Sequence, residues 1–401
     1  MENASMLNGS VKDAAARADD DRIISVLERL VGFPTVSSES NTDLVAYVDD
    51  YLRRLGLDPV ILPDPEGTKA NIHVTIGPQA AGGVVLSGHT DVVPVEGQAW
   101  TSDPFGLVRR ENRLFGRGSA DMKGFLAVVL ALVPDMLAAG LKRPIHLVFS
   151  YDEETTCEGV LPMIDDIGRT RPPVSAVVVG EPTRMALVNA HKGSYGFVTR
   201  VTGLEAHSSL IEDGVSAISL AARLIVAMED RMRARARAQD PTSRFDPGYT
   251  TAHAGTIRGG TAGNILAGGC EFVWELRTVP GDDADRLLEE FEADGVALLE
   301  ALGPVAAQCR IETIQECAVP ALRPEPGGEA EALCRRLTGR NRTEAVSYCT
   351  ESGQFQAAGL STIVIGPGSI EQAHKPDEFI EISELHKCAE FIRRLTAELA
   401  G

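Results

Sequence analysis

Apolar residues recur on two different periods along this chain, and the change of period marks out its parts. Between Asp20 and Leu57 the spacing is helical: Ile23, Ile24, Leu27, Leu30 and Val31 form one stripe, and Leu44, Val45, Val48, Leu52 and Leu55 a second. Asn71 to Ile76 and Val84 to Ser87 are short apolar runs near turn residues, which predicts buried strands. Phe125 to Leu137 is largely apolar, as a buried helix is, and Pro134 predicts its kink or its end. Ile145 to Tyr151 and Ser175 to Gly180 predict two further strands. Strands separated by helical stretches build a mostly parallel sheet with helices on both faces, an α/β/α fold.

Near Lys192 the texture changes. Tyr195, Phe197, Thr199 and Val201 alternate as on a half-exposed antiparallel strand. A helix from about Gly214 to Arg237 follows, then strands at Thr250 to Ile257 and Gly268 to Arg277, a helix from Asp283 to Leu302 and a strand near Cys309 to Ile314. This strand-helix-strand-strand-helix-strand order is that of a ferredoxin-like α+β sandwich. From about Pro320 the first texture returns, with a helix from Glu329 to Leu337, a strand from Thr362 to Ile365, a loop through Pro376 and a final helix from Ser383 to Leu399. The expected organisation is one domain built from residues 1–191 and 319–401, with a second, residues 192–318, inserted into it.

Composition narrows the class. A chain of 401 residues exceeds one comfortable core, and 44% hydrophobic with 24% charged residues lies near globular averages, which argues against extended disorder. The formal net charge of -19 speaks against nucleic acid or an anionic membrane as partner. The basic run Arg231, Arg233, Arg235 and Arg237 reads as a solvated helix end whose cations complement the dipole. Seven cysteines, odd in number and without a C-x-x-C pair, fit reduced thiols in a cytoplasmic protein better than a disulfide framework. Met1 to Asp21 is polar and lacks the apolar core of a signal peptide. The longest apolar run, Phe125 to Val133, falls well short of the ~20 residues a membrane helix needs.

The candidate chemistry sits where the strands stop. Val84 to Leu86 runs into His89 and Asp91, Ile145 to Tyr151 into Asp152, Glu153 and Glu154, Ser175 to Val179 into Glu181, and Thr362 to Ile365 leads through a loop to His374. Asp121 opens the helix after the first of these strands. Ligands of open parallel sheets bind beyond the carboxyl ends of the strands, so these groups are expected to converge. So many carboxylates cannot share a partly buried pocket uncompensated, and divalent cations are the economical compensation; carboxylate with imidazole suits zinc. Taken singly, each residue has a plainer reading: Asp91 as a turn cap, Glu153 or Glu154 as a surface carboxylate, His374 as an exposed histidine. Recurrence at four strand ends favours the metal. Glu153 and Glu154, adjacent on what reads as extended backbone, would point to opposite sides, one to metal and the other to water.

These residues lie in motifs that resemble the dinuclear-zinc amidohydrolase family of acetylornithine deacetylase, succinyl-diaminopimelate desuccinylase, aminoacylase and glutamate carboxypeptidase. The stretches are Ser87-Gly88-His89-Thr90-Asp91, Gly116-Arg117-Gly118-Ser119-Ala120-Asp121-Met122-Lys123-Gly124, Asp152-Glu153-Glu154, Gly180-Glu181-Pro182-Thr183, Ala206-His207-Ser208-Ser209 and Ala373-His374-Lys375-Pro376-Asp377-Glu378. The resemblance spans nearly the whole chain in the family's order. It implies a zinc-peptidase-like catalytic domain carrying a lid and dimerisation domain, and two Zn2+ per subunit, with Co2+ or Mn2+ as substitutes. It makes Asp121 the carboxylate shared by both metals, with His89 and Glu181 completing one site and Glu154 and His374 the other. Asp91 would hold the His89 tautomer, and Glu153 would be general base and acid. In the inserted domain His207 resembles the family's oxyanion-stabilising histidine, acting in dimeric members on the partner subunit's site. Asn264 and Arg277 resemble substrate-binding positions; Arg277 suits a bidentate grip on an α-carboxylate, its plainer reading being a strand-end ion pair.

Within the family, Ser150-Tyr151-Asp152-Glu153-Glu154, Ala190-His191-Lys192-Gly193 and Tyr348-Cys349-Thr350-Glu351 look most like acetylornithine deacetylase. The implied substrate is a small N-acyl amino acid, N-acetylornithine first, in arginine biosynthesis. Glu351, with Thr350 beside it, is then the expected partner of the ornithine ammonium. An aminoacylase, a deacetylase of another amino acid and a dipeptide-cleaving carboxypeptidase remain open. Cys349 stands where glycine is usual, and Ile211 and Ser216 replace the usual proline and asparagine after His207. The other histidines, His73 and His146 among them, read as satisfied core or surface residues. The resemblance also implies a homodimer through the inserted domain.

Overall fold

The computed structural model describes residues 20–401, so the polar segment read above as carrying no signal peptide lies almost wholly outside the described residues. Contacts divide the chain into two compact units, the first comprising the chain up to Asn189 with Pro324–Glu344 and Thr350–Gly401, the second Ala190–Arg323 with Ala345–Cys349. That short third crossing carries no periodicity and was invisible in the apolar pattern.

The chain begins with helices α1 (20–31) and α2 (Thr42–Arg54), then strands β1 (Val60–Pro63), β2 (Ala70–Ile76), β3 (Gly83–His89), β4 (Val108–Arg110) and β5 (Arg113–Phe115). Helices α3 (Lys123–Ala131) and α4 (Val133–Ala138), strand β6 (Ile145–Ser150), helix α5 (Leu161–Thr170) and strands β7 (Val174–Val179) and β8 (Val188–His191) follow. The second unit contributes β9 (Gly193–Thr202), α6 (Ala217–Arg237), β10 (Thr251–Gly259), β11 (Gly269–Thr278), α7 (Ala284–Glu300) and β12 (Arg310–Val319). The chain closes with α8 (Glu329–Thr338), β13 (Glu344–Val346), α9 (Ser352–Ala357), β14 (Thr362–Val364), β15 (Phe379–Glu381) and α10 (Ile382–Ala400).

The main sheet has the order β1-β2-β6-β3-β7-β14-β8-β13. Its centre, β6-β3-β7-β14, is parallel, while β1, β2 and β8 pair antiparallel at the flanks. Every residue of β3 and β6 is buried, as expected of strands covered on both faces. Helix α3 is buried along its whole length, packed against β3 and α10. The predicted long helix breaks at Leu132, two residues before Pro134, which then sits harmlessly in the first turn of α4. Two glycines let α3 approach the strand ends: a Cβ on Gly88 would lie 2.5 Å from the Met122 methyl, and one on Gly180 2.2 Å from the Phe125 ring.

The second unit is a four-stranded antiparallel sheet in the order β10-β11-β9-β12, the ferredoxin-like arrangement, with α6 and α7 on one face. Phe197, Trp274 and Phe291 form its aromatic centre, with ring centroids 4.3 and 4.4 Å apart. The basic end of α6 is answered locally: Arg231 meets Asp294 at 2.7 Å, Arg233 meets Asp230 at 2.6 Å and Arg235 meets Asp282 at 3.0 Å. All seven cysteines are free thiols. No helix among the described residues is long and apolar enough to cross a membrane.

Candidate metal centre

Because β6, β3, β7 and β14 run parallel, their carboxyl ends open on one edge of the sheet, and the polar residues that follow them meet there. His89 is the last residue of β3 and is fully buried. Its Nε2 lies 3.2 Å from Asp121 Oδ1, 3.8 Å from Glu181 Oε1 and 3.9 Å from Glu153 Oε2. His374 Nε2 lies 3.0 Å from Glu154 Oε2 and 3.4 Å from Asp121 Oδ2. Asp121 therefore turns one oxygen to each imidazole. Its peptide bond to Met122 is cis, just ahead of α3.

Asp91 holds this arrangement from behind. The His89 Nδ1 lies 2.9 Å from the Asp91 main-chain carbonyl and 3.5 Å from its carboxylate, so carbonyl and carboxylate together set the tautomer. The same carboxylate accepts the Ser37 hydroxyl at 2.7 Å and the main-chain N–H groups of Glu153 and Glu154 at 3.2 and 3.3 Å. This corrects the expectation of an extended Glu153-Glu154 pair. Strand β6 stops at Ser150, Asp152 takes a left-handed φ of 59°, and both glutamates lie in the turn that follows. They enter one cluster at different ends: Glu153 beside His89 and Glu181, Glu154 beside His374 and Asp121.

The electrostatics are those of a site with too much negative charge. Burial, then the charge of Asp121, pushes Glu154 up to about 7. Burial, then Glu153 and Asp121, drives Glu181 well above the usual carboxylate range. Hydrogen bonds to Asp121 and Glu154 raise His374 to about 10. Burial alone would lower His89, but its bonds to Asp121 and Asp91 outweigh that and raise it well above its ordinary value. Protons thus stand in for missing positive charge. Two sets of ligand atoms, from His89, Glu153 and Glu181 and from His89, Asp121 and Glu154, each lie within 4.8 Å of one another, and Glu181 Oε1 is buried with no hydrogen-bond partner. An orphaned oxygen inside such a donor set fits divalent cations.

The remaining candidates fare differently. Glu351 is 1% exposed, and its two oxygens accept the hydroxyls of Ser87 and Ser150 at 2.5 and 2.6 Å. It ties β3 to β6 from a buried position, each oxygen already accepting one hydroxyl. Thr350 is likewise buried, its hydroxyl engaged with Ser352 at 2.7 Å. In the second unit Arg277 pairs with Glu275 at 2.9 Å, the plainer of its two readings, and touches Cys349 Sγ at 3.7 Å. His207 and Asn264 lie on one exposed loop face: His207 Nδ1 is 2.8 Å from the Ser209 hydroxyl, and the Asn264 carbonyl accepts the Ser208 N–H at 3.0 Å. Gln98, Arg117 and Glu378 were not singled out from the sequence. Arg117 and Glu378 stand inside quoted motifs, but their pairing spans 261 positions and has no local signal.

This fold and site are those of a metallopeptidase-type hydrolase. The pattern of peptidase family M20/M25/M40 matches residues 85–398, and the chain belongs to that family. In sequence it is acetylornithine deacetylase-like: it is 34% identical over 387 residues to the acetylornithine deacetylase of Proteus mirabilis, covering 93% of this chain and 95% of that one. In fold it is similar to the M20 family metallo-carboxypeptidase Sso-CP2 from Sulfolobus solfataricus, with a TM-score of 0.73 at 17% identity over 95% of this chain and 99% of that one. It is also similar to the YXEP protein of Bacillus subtilis, a dinuclear metal binding peptidase from the M20 family, with a TM-score of 0.65 at 16% identity over 95% and 98% of the two chains.

Proposed function

We propose that this chain hydrolyses the amide bond of an N-acyl amino acid with two bound metal ions, and that N-acetyl-L-ornithine, giving L-ornithine and acetate, is its substrate. The observation that carries the two-metal reading is Asp121, whose two oxygens address different imidazoles 3.2 and 3.4 Å away. His89 and Glu181 would hold one cation with Asp121, and Glu154 and His374 the other. When bound, the cations, zinc first and cobalt or manganese as substitutes, polarise the amide carbonyl and acidify water.

The chain's own residues do the rest. Glu153, a carboxylate at the edge of the cluster, takes the proton of the attacking water and returns it to the leaving amine nitrogen. Asp91 keeps His89 Nδ1 protonated and Nε2 free to ligate. In the roles suggested by family likeness, His207 donates to the developing oxyanion, and Arg277 and Asn264 hold the amino-acid portion. A homodimer through the second unit is supported by the open edge of β10 and the exposed Ile218, Val226 and Ile257. The free thiols and the deacetylase relative support a cytoplasmic location.

One observation favours a second reading, hydrolysis of a different N-acyl amino acid or of a dipeptide. Cys349, in place of the family's usual glycine, lies against Arg277, the candidate carboxylate grip. The deciding measurement is a panel of N-acyl amino acids and dipeptides assayed with zinc or cobalt added. N-acetylornithine should show the highest kcat/KM; acetylmethionine or a dipeptide ranking far above it overturns the substrate assignment.

A further inference from the structure

One network, buried at its centre, links the two loops that carry Asp121 and His374. Arg117 and Glu378 form an ion pair at 2.8 Å with both side chains only 1% exposed. The Glu378 carboxylate also accepts the main-chain N–H groups of Gly118, Ala120 and Asp121 at 3.0, 2.8 and 3.1 Å. One side chain thus sets the backbone from which Asp121 projects. On the other side of the pair, Arg117 Nη2 donates to Gln98 Oε1 at 2.6 Å, and its guanidinium stacks over Trp100 at 5.1 Å. Gln98 Nε2 then donates to the main-chain carbonyl of His374 at 3.1 Å. His374 has need of a tether, since its side chain is half exposed and its φ of 62° is a left-handed conformation that non-glycine residues disfavour.

We propose that Gln98, backed by the Arg117–Glu378 pair, is a positioning residue that fixes His374 relative to Asp121 and so sets metal affinity at the Glu154–His374 end of the centre. A buried ion pair is weak evidence for stability by itself, but here the hydrogen bonds of both partners run to the loops on either side of the ligands. The inference rests on the two-metal reading above. Gln98 is partly exposed, so replacing it opens no core cavity.

The test is a zinc titration of the metal-stripped full chain against a competing chromogenic chelator, for the unaltered protein, Gln98→Leu and Gln98→Glu, each with a thermal melt. The glutamate keeps the acceptor for Arg117 but cannot donate to the His374 carbonyl. Both variants should bind one of two zinc equivalents about 10–100-fold more weakly, with the melt of the stripped protein unmoved. If Gln98→Glu binds both equivalents like the unaltered protein, the side chain only satisfies Arg117 and the positioning role is wrong. If the unaltered protein takes up no zinc, the two-metal reading itself fails and the positioning role with it. Should Gln98→Leu fold poorly, Gln98→Glu alone decides.

Discussion

Two clusters of ionisable groups belong to the eight-stranded sheet, one beyond the carboxyl ends of its parallel strands and one at the middle of β2 and the start of β6. In the first, carboxylates outnumber imidazoles, and Glu154, at about 7, and His374, at about 10, hold their protons more tightly than usual, while against its burial the bonds of His374 and His89 hold Asp121 below the usual carboxylate range. In the second, His73 and His146 share the space with Asp166 and Arg171, and both histidines are pushed down. Burial lowers His73, partly offset by Asp166, and burial with the charges of Arg171 and His73 lowers His146 to about 4. Neighbouring charge, and not burial alone, therefore decides which way these groups shift. Where acids crowd together, the site lacks positive charge and calls for a cation; where histidines sit within strands beside an arginine, they stay neutral and serve as core.

Three measurements break or sharpen that contrast. The largest effect is expected from Glu153→Gln, which should retain metal yet lower kcat by about 10²–10⁴-fold, the usual contribution of a positioned acid-base group. Preserved turnover would remove Glu153 from its role and leave the first cluster as a binding site only. Next, zinc loading of the stripped protein at pH 7 should release protons into the solution, readable with an indicator dye, because Glu154 and His374 must give theirs up to ligate. His374→Ala should release fewer, and uptake of zinc without proton release would place the metal elsewhere.

The smallest effect lies in the second cluster. The depressed pKa of His146 gives stability that is fully present above its ordinary value of 6.5 and is lost as pH falls toward 4. His146→Gln should flatten that acid limb of the melting curve and leave activity at neutral pH unchanged. A limb as steep as in the unaltered protein would show that His146 does not carry it.

Much of the first cluster was legible before folding because its residues follow apolar runs long enough to announce strands, and parallel strands deliver their carboxyl ends to one edge. His89, Asp121, Glu154, Glu181 and His374 come together for that reason. Other features had no such signal. The strands β4, β5, β13 and β15, three residues each, are too short to show a period. The burial of Glu351 has no local signal either, because Ser87 and Ser150, whose hydroxyls its two oxygens accept, lie more than 200 positions away. No local signal marks the turn at Asp152, because Asp91, which gathers the two amide groups beyond it, lies 62 and 63 positions before them.

The sequence by itself determined the alternation of strands and helices, the change of texture near Lys192 and the kinds of group available for chemistry, since these follow from spacing and side-chain type. Only the tertiary structure decided which carboxylate faces which imidazole, that Glu153 and Glu154 enter the cluster at different ends, and that Glu378 and Gln98 hold the loops of Asp121 and His374. Those relations join residues far apart in the chain, and their energies depend on distance and burial, quantities that exist only once the chain has closed on itself.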